Sequence, residues 1–226
     1  MVASGHPKPK SNSAIAVEKL RELIFAGILP AGSNHLESEL ALRLGMSRTP
    51  VREAALTLEA QGLVQVQARR GVRILPISIR DMEEIYDVLT ALESMAAGQA
   101  ARQNYAEEEL QELQQTIVDM EDALDREDRE AWAAADDRFH KELVRLGGNG
   151  RVATIVALMA DQVRRARAVT LYLRPLPLKS NADHRGVLEA IITGDAERAT
   201  RIHSAHRSAS KKTLMQLLKQ TKLHML

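Results

Sequence analysis

The sequence predicts a mainly α protein: an N-terminal winged helix-turn-helix followed by an all-helical antiparallel bundle. Three observations carry this. Two apolar helical stripes lie on either side of Gly45, within residues 39–64. GLVQVQ and VRIL then flank the polar tip ARRG, as two short strands flank a turn. Beyond Pro76 the β-branched alternation disappears and helical periodicity takes over. The expected division is a disordered basic arm over residues 1–10, the winged helix-turn-helix over 11–76, and the helical domain over 77–226.

The first helix is expected from Ile15 to Gly27, with Val17, Leu20, Leu23 and Ile24 on one face. The second carries Leu40, Ala41 and Leu44 and ends at Gly45. Ser47 is placed to cap the third helix, where Pro50 is tolerated in the first turn and Val51, Ala54, Ala55 and Leu58 form the buried side. The opening turn of that helix carries Arg48, Thr49 and Arg52. Two forked cations and a hydroxyl there suit phosphate oxygens and guanine edges in a DNA major groove. A lone arginine on a helix is ordinarily a solvated surface cation, but the helix-turn-helix context reverses that reading. One winged helix reads only a few base pairs. A homodimer on a near-palindromic double-stranded operator is therefore expected.

The run from Glu39 to Val64 resembles the GntR family of bacterial regulators. The likeness rests on Gly32, Glu37, Leu40, Ala41, Leu44, Gly45, the whole of SRTPVREA, then Leu58, Glu59, Gly62, Leu63, Val64 and Arg70-Gly71. It implies that Ser47, Arg48, Thr49, Arg52, Arg70 and Gly71 form the DNA-binding set, with Gly71 letting the wing approach the DNA backbone. One position departs: His35 stands where the family usually has an apolar residue, and Leu36 is expected to take over its packing.

Composition bounds the rest. The 226 residues allow one or two domains, each with its own core. Net charge is only +1, but its distribution is uneven: residues 1–76 hold 10 Lys/Arg against 6 Asp/Glu, and residues 77–226 hold 21 against 24. That fits a basic reader joined to a neutral-to-acidic domain. The absence of cysteine excludes a disulfide framework and a thiolate metal site. MVASGHPKPKSNS has no apolar segment of a secretory signal, and no stretch reaches the roughly 18–20 apolar residues that span a bilayer. A soluble cytoplasmic protein with no membrane partner is expected. Its arm either brushes DNA or is an unstructured tail.

Behind Pro76, helices are expected at about 79–103, 106–126, 128–146, 150–170, 181–193 and 195–220. Asn104, the Gly147–Gly150 cluster, RPLPLKSN and Gly194 punctuate them. With 3% aromatics the core must come from Leu, Ile, Val, Ala and Met. Asp136 and His140 are four residues apart and share one helix face. His184 falls early in the next-to-last helix, and His203 and His206 fall in the last. A carboxylate and imidazoles converging from three helices suit Zn²⁺, Ni²⁺, Mn²⁺ or Fe²⁺. Taken alone this spacing is weak, because histidines in helical proteins are usually solvated or satisfied in the core.

Residues 79–210 resemble the ligand-binding domain of the FadR-type branch of the GntR family, commonly called FCD. The residues that carry this are Leu92-Glu93 with its Ala-rich continuation, the D-x-x-x-H of Asp136 and His140, the His-Arg after Asp183, the Ala-Ile of 190–191, and Gly194-Asp195 leading to His206. Six helices fit the shorter VanR-like form. The resemblance implies a divalent metal held by Asp136, His140, His184 and His206, with zinc the leading expectation and His203 as neighbouring lining. Asp137 is the alternate carboxylate, one residue off the face. A second position departs: Leu89 stands where the family frequently has an arginine, four residues before Glu93. Arg164, Arg165 and Arg167 are the nearby cations, and Arg164, Arg167 and His203 are assigned to effector binding.

The resulting expectation is a sequence-specific DNA-binding transcriptional repressor whose operator binding responds to a small organic acid at a metal-containing pocket. A metal-responsive regulator without an organic effector is one alternative. The other is a metal-dependent enzyme fused to a DNA-binding module, with Glu142 the nearest acid/base candidate. Neither a nucleophile elbow nor a phosphate loop appears, and no enzyme is expected.

Overall fold

The structure is a computed structural model, and it describes residues 10–221. The expected arm over 1–10 lies almost wholly outside the described residues. These residues divide into two compact units, at the junction of Pro76 and Ile77.

The first unit holds α1 (Asn12–Phe25), β1 (Asn34–His35), α2 (Glu37–Leu44), α3 (Arg48–Ala60), β2 (Val64–Gln67) and β3 (Gly71–Ile74). Helix α1 starts three residues before its expected position because the Ser11 hydroxyl accepts the Ala14 N–H, at 3.2 Å, and caps it. Gly45 closes α2 in the left-handed conformation at φ 65°. Val51, Ala54, Ala55 and Leu58 of α3 are all buried, as the apolar spacing requires. With Leu20, Leu29, Leu40, Leu63 and Ile74 they form one core.

The sheet has three strands rather than two, in the order β1-β3-β2, and both pairings are antiparallel. The extra strand is only two residues long and has no alternation to read. It explains His35. That residue is ladder-paired with Val72, and its Nε2 lies 2.7 Å from the Ser33 hydroxyl, so a polar side chain is satisfied there. Leu36 does not take over the packing, since it is 48% exposed.

The second unit is a six-helix bundle: α4 (Ile79–Ala101), α5 (Glu107–Asp125), α6 (Arg129–Leu146), α7 (Gly150–Thr170), α8 (Leu178–Ile192) and α9 (Ala196–Thr221), with a 3-10 turn at Leu171–Leu173. Side-chain caps set three starts: Ser78 on α4, Asp128 on α6 and Asn149 on α7. Helix α4 runs along α9 over their greatest shared length. Gly98 permits this, because a Cβ there would collide with the Thr200 hydroxyl. One core joins Leu113, Met120, Trp132, Phe139, Leu143 and Ile191; a second joins Tyr86, Leu89, Val144, Val163, Leu214 and Leu218. Among the described residues no helix is long and apolar enough to cross a membrane.

Candidate functional site

The first unit presents a cationic edge. Arg48 and Arg52 sit one turn apart at the start of α3, with side chains 71% and 69% exposed. Glu37, at the start of α2, places its carboxylate 3.5 Å from Arg48 and 4.0 Å from Arg52. Both arginines thus face one carboxylate while most of each side chain stays in solvent. Thr49 and Arg70 are exposed as well. Ser47 occupies the N-cap position, but its side chain makes no capping hydrogen bond, which leaves the hydroxyl free for an external partner. Gly71 is constrained by the fold itself: φ is 85°, and a Cβ would collide with the His35 carbonyl oxygen on β1.

In the second unit a buried polar cluster draws from α4, α6, α7, α8 and α9. One donor atom from each of Asp136, His140, His184 and His206 lies within 4.8 Å of all the others, and all four residues are buried. His184 Nε2 is 3.5 Å from Asp136 Oδ1, and His140 Nε2 is 3.7 Å from Asp136 Oδ2. These spacings are close to the ~3.4 Å edge of a tetrahedron built on zinc bonds of about 2.1 Å. His184 and His206 rings are 4.5 Å apart between centroids. Phe139 packs on His184 at 4.2 Å and fixes its ring.

The donors fit a divalent cation. His140 Nε2 and both nitrogens of His184 are buried without a hydrogen-bond partner, an arrangement that costs stability unless something fills it. Burial, with the neighbouring His206 and His140, holds His184 well below the ordinary imidazole pKa despite Asp136 nearby. Burial likewise lowers His206. Both are therefore neutral at pH 7, the form in which an imidazole can bind a metal. Burial would push the Asp136 carboxyl up, but Arg167 and the three imidazoles outweigh it and hold Asp136 well below the usual carboxylate range. Arg167 makes a 2.6 Å ion contact with Asp136 and a longer one, 3.4 Å, with Asp137.

A second layer lies behind His140. Its Nδ1 is 3.0 Å from Glu93 Oε2, which is also 3.6 Å from His203 Nε2 and 3.5 Å from Arg207 Nε. Burial raises the Glu93 pKa, yet Arg207, His140 and His203 bring it down to about 2. The Ser94 hydroxyl holds His203 Nδ1 at 3.1 Å, and Arg207 stacks on Tyr86.

Two cavities reach this cluster. The first, about 260 Å³, is lined by Asp136, His140, His206, Arg167 and Arg207 at its inner end, and by Trp132, Arg174 and Pro177 further out. The second touches Glu93, His140, Asp137 and Arg164.

These features agree with the comparisons. The pattern of "Bacterial regulatory proteins, gntR family" matches residues 12–74, and that of the FCD domain matches residues 84–209. The chain belongs to the GntR family. A probable D-xylose utilization operon transcriptional repressor of Paenarthrobacter nicotinovorans is 32% identical over 187 residues, covering 82% of this chain and 81% of that protein. An uncharacterized HTH-type transcriptional regulator of Agrobacterium vitis, in the TAR-I ttuE-ttuC' intergenic region, is 41% identical over 131 residues, 57% of this chain and 77% of that one. Among solved structures, E. coli McbR/YncC shares the fold at a TM-score of 0.76 with 21% identity, covering 92% of this chain and 99% of that one. This GntR-family chain is accordingly a DNA-binding transcriptional regulator, and not an enzyme.

Within this GntR regulator the sequence expectations divide. The structure brings Asp136, His140, His184 and His206 together. His203 lines neither of these two cavities and stands behind His140, beside Glu93 and Ser94. Arg164 faces the second cavity, 3.2 Å from Asp161, and does not line the first. Arg167 lines both. Asp137 is not among the four converging donors and meets Arg167 at 3.4 Å. Glu142 is engaged by Arg145 at 2.6 Å and 2.7 Å. Sequence reasoning missed Glu93 as a contact of His140, and it missed Arg174 and Arg207 as cavity walls. A residue four positions after Leu89 on a buried face was the available signal for Glu93. Nothing local flagged Arg174, which lies in a loop.

Proposed function

We propose that this regulator is a homodimeric repressor acting in the cytoplasm, whose grip on a near-palindromic operator is released by a small organic acid bound beside a divalent metal. The observation that supports it is the convergence of four buried donors, three ring nitrogens among them unpartnered, at the inner end of a cavity walled by Arg167 and Arg207. Asp136, His140, His184 and His206 would hold the ion, zinc first among the candidates. A bound ion of this kind supplies open coordination positions that a carboxylate can fill. Arg167 keeps Asp136 ionised, and Arg207 with Trp132 gives the acid one cationic and one flat apolar wall.

His206 links this site to α9, the long helix that packs along α4. An acid that draws on the His206 side of the cavity therefore bears on the main helix pair of the bundle. Coupling of this kind is typically worth about 1–3 kcal/mol between sites. On the DNA side, Ser47, Arg48, Thr49, Arg52, Arg70 and Gly71 form the proposed contact set.

The test is to select binding sites from a random duplex pool, then titrate organic acids against the selected operator. Two-fold symmetric half-sites are expected. Wild-type protein should release the operator with at least one acid, whereas His206→Ala should bind the operator and ignore every acid. Release on zinc addition alone would favour a metal-responsive regulator instead.

A further inference from the structure

We propose that the ligand of the first cavity carries a second anionic group, seated on Arg174, so that the site selects a dicarboxylate over the matching monocarboxylate. This rests on the reading that an organic acid occupies that cavity. Arg174 lies between α7 and α8 and lines the same cavity as Asp136, His140 and Arg167. Its Nε donates to the buried Thr170 hydroxyl at 3.0 Å, while its Nη2 is buried with no hydrogen-bond partner. A buried guanidinium edge without an acceptor is costly, and a carboxylate removes the cost with charge-assisted, fork-matched hydrogen bonds.

The other cations along this wall already face carboxylates or carbonyls, Arg207 Nε lying 3.5 Å from Glu93 Oε2. Arg167 is paired with Asp136 and Asp137, and Lys179 with Asp183. Arg129 donates to the Arg174 carbonyl at 2.8 Å and the Leu171 carbonyl at 3.3 Å, which fixes the loop carrying Arg174. Of the carboxylates near the mouth, Asp183 also approaches His206 at 3.6 Å and Asp128 caps α6. Burial, and after it the proximity of Arg167, hold Arg174 below its ordinary pKa, while Tyr86 and Asp136 offset part of that shift. Leu89 is fully buried and offers no charge from α4. An acid group at each end of a small molecule meets the donor cluster at one end and Arg174 at the other.

The experiment is calorimetric titration of zinc-loaded wild type, Arg174→Met and Arg174→Lys with three matched pairs: malonate and propionate, succinate and butyrate, glutarate and valerate. At least one dicarboxylate should bind wild type tenfold or more tighter than its partner. Arg174→Met should bring that ratio to about one, and Arg174→Lys should keep part of it. Removal of an unpaired buried cation should leave the melting temperature unchanged or higher, so folding is not the readout. A ratio near one in all three pairs, or a ratio that survives Arg174→Met, overturns the proposal. Repeating the series after zinc removal separates the two readings. Zinc-dependent binding with no preference for two acid groups sinks this inference alone. A preference that persists without zinc sinks the metal reading alone, and no binding by any acid sinks both.

Discussion

His140 presents its two ring nitrogens to different partners: Nδ1 lies 3.0 Å from Glu93 Oε2, while Nε2 faces Asp136 at 3.7 Å. A carboxylate behind one nitrogen fixes the proton there and leaves the lone pair on the other for a metal. Glu93 comes from α4 and Asp136 from the same helix as His140, so packing of α4 on α6 sets the tautomer of the His140 ring.

Glu93→Gln is accordingly expected to weaken zinc binding by about 10–100-fold without removing a ligand. Competition against a chromophoric chelator reads this directly. An unchanged zinc affinity would show that Glu93 only pairs Arg207.

The DNA face makes a separable prediction. Arg52→Ala should cost about 1–3 kcal/mol on the selected operator if it reads a base, and the loss on random DNA should be much smaller. Equal losses on both would place Arg52 on phosphate. Glu37→Ala should alter the selected half-site as well, because Glu37 holds both Arg48 and Arg52.

Gly71→Ala tests the wing. The positive φ and the collision with the His35 carbonyl should destabilise the first unit by roughly 1–3 kcal/mol. DNA affinity should fall while zinc content stays at the wild-type level, since the donors belong to the second unit. Urea unfolding together with metal analysis gives both readouts. Wild-type DNA affinity with an intact wing would contradict the assignment.

Acid should destabilise the metal-free protein. Burial holds His184, His203 and His206 below the ordinary imidazole value. Below about pH 6.5 the unfolded chain binds protons that the folded one refuses, so stability falls as pH drops through that value. Glu93, at about 2 in the fold, and Asp136 extend the loss through the carboxylate range. Melting in excess chelator from pH 7.5 to 5 should show a steady decline, and a flat profile would contradict neutral buried imidazoles.

Periodicity made the helices legible because each one buries a single apolar stripe, as in α3 with Val51, Ala54, Ala55 and Leu58. The two-residue strand at Asn34–His35 was not legible, since its pairing depends on backbone hydrogen bonds to β3 rather than on a side-chain pattern. In the second unit, the i, i+4 spacing exposed Asp136 and His140 as a pair. The side of the cluster that His203 faces was not legible, because a one-turn offset from His206 leaves it to the angle between α9 and α4. Arg174 was hidden for a related reason: a loop side chain acquires its role only when Arg129 pins its backbone.

The most direct test is metal analysis of tag-free protein beside folded Asp136→Ala and His206→Ala variants. Wild type should carry close to one divalent ion per chain, and both variants should lose it. Well-folded wild-type protein that takes up no zinc, even when zinc is supplied, would contradict this and leave Asp136, His140, His184 and His206 as the polar lining of a metal-free pocket.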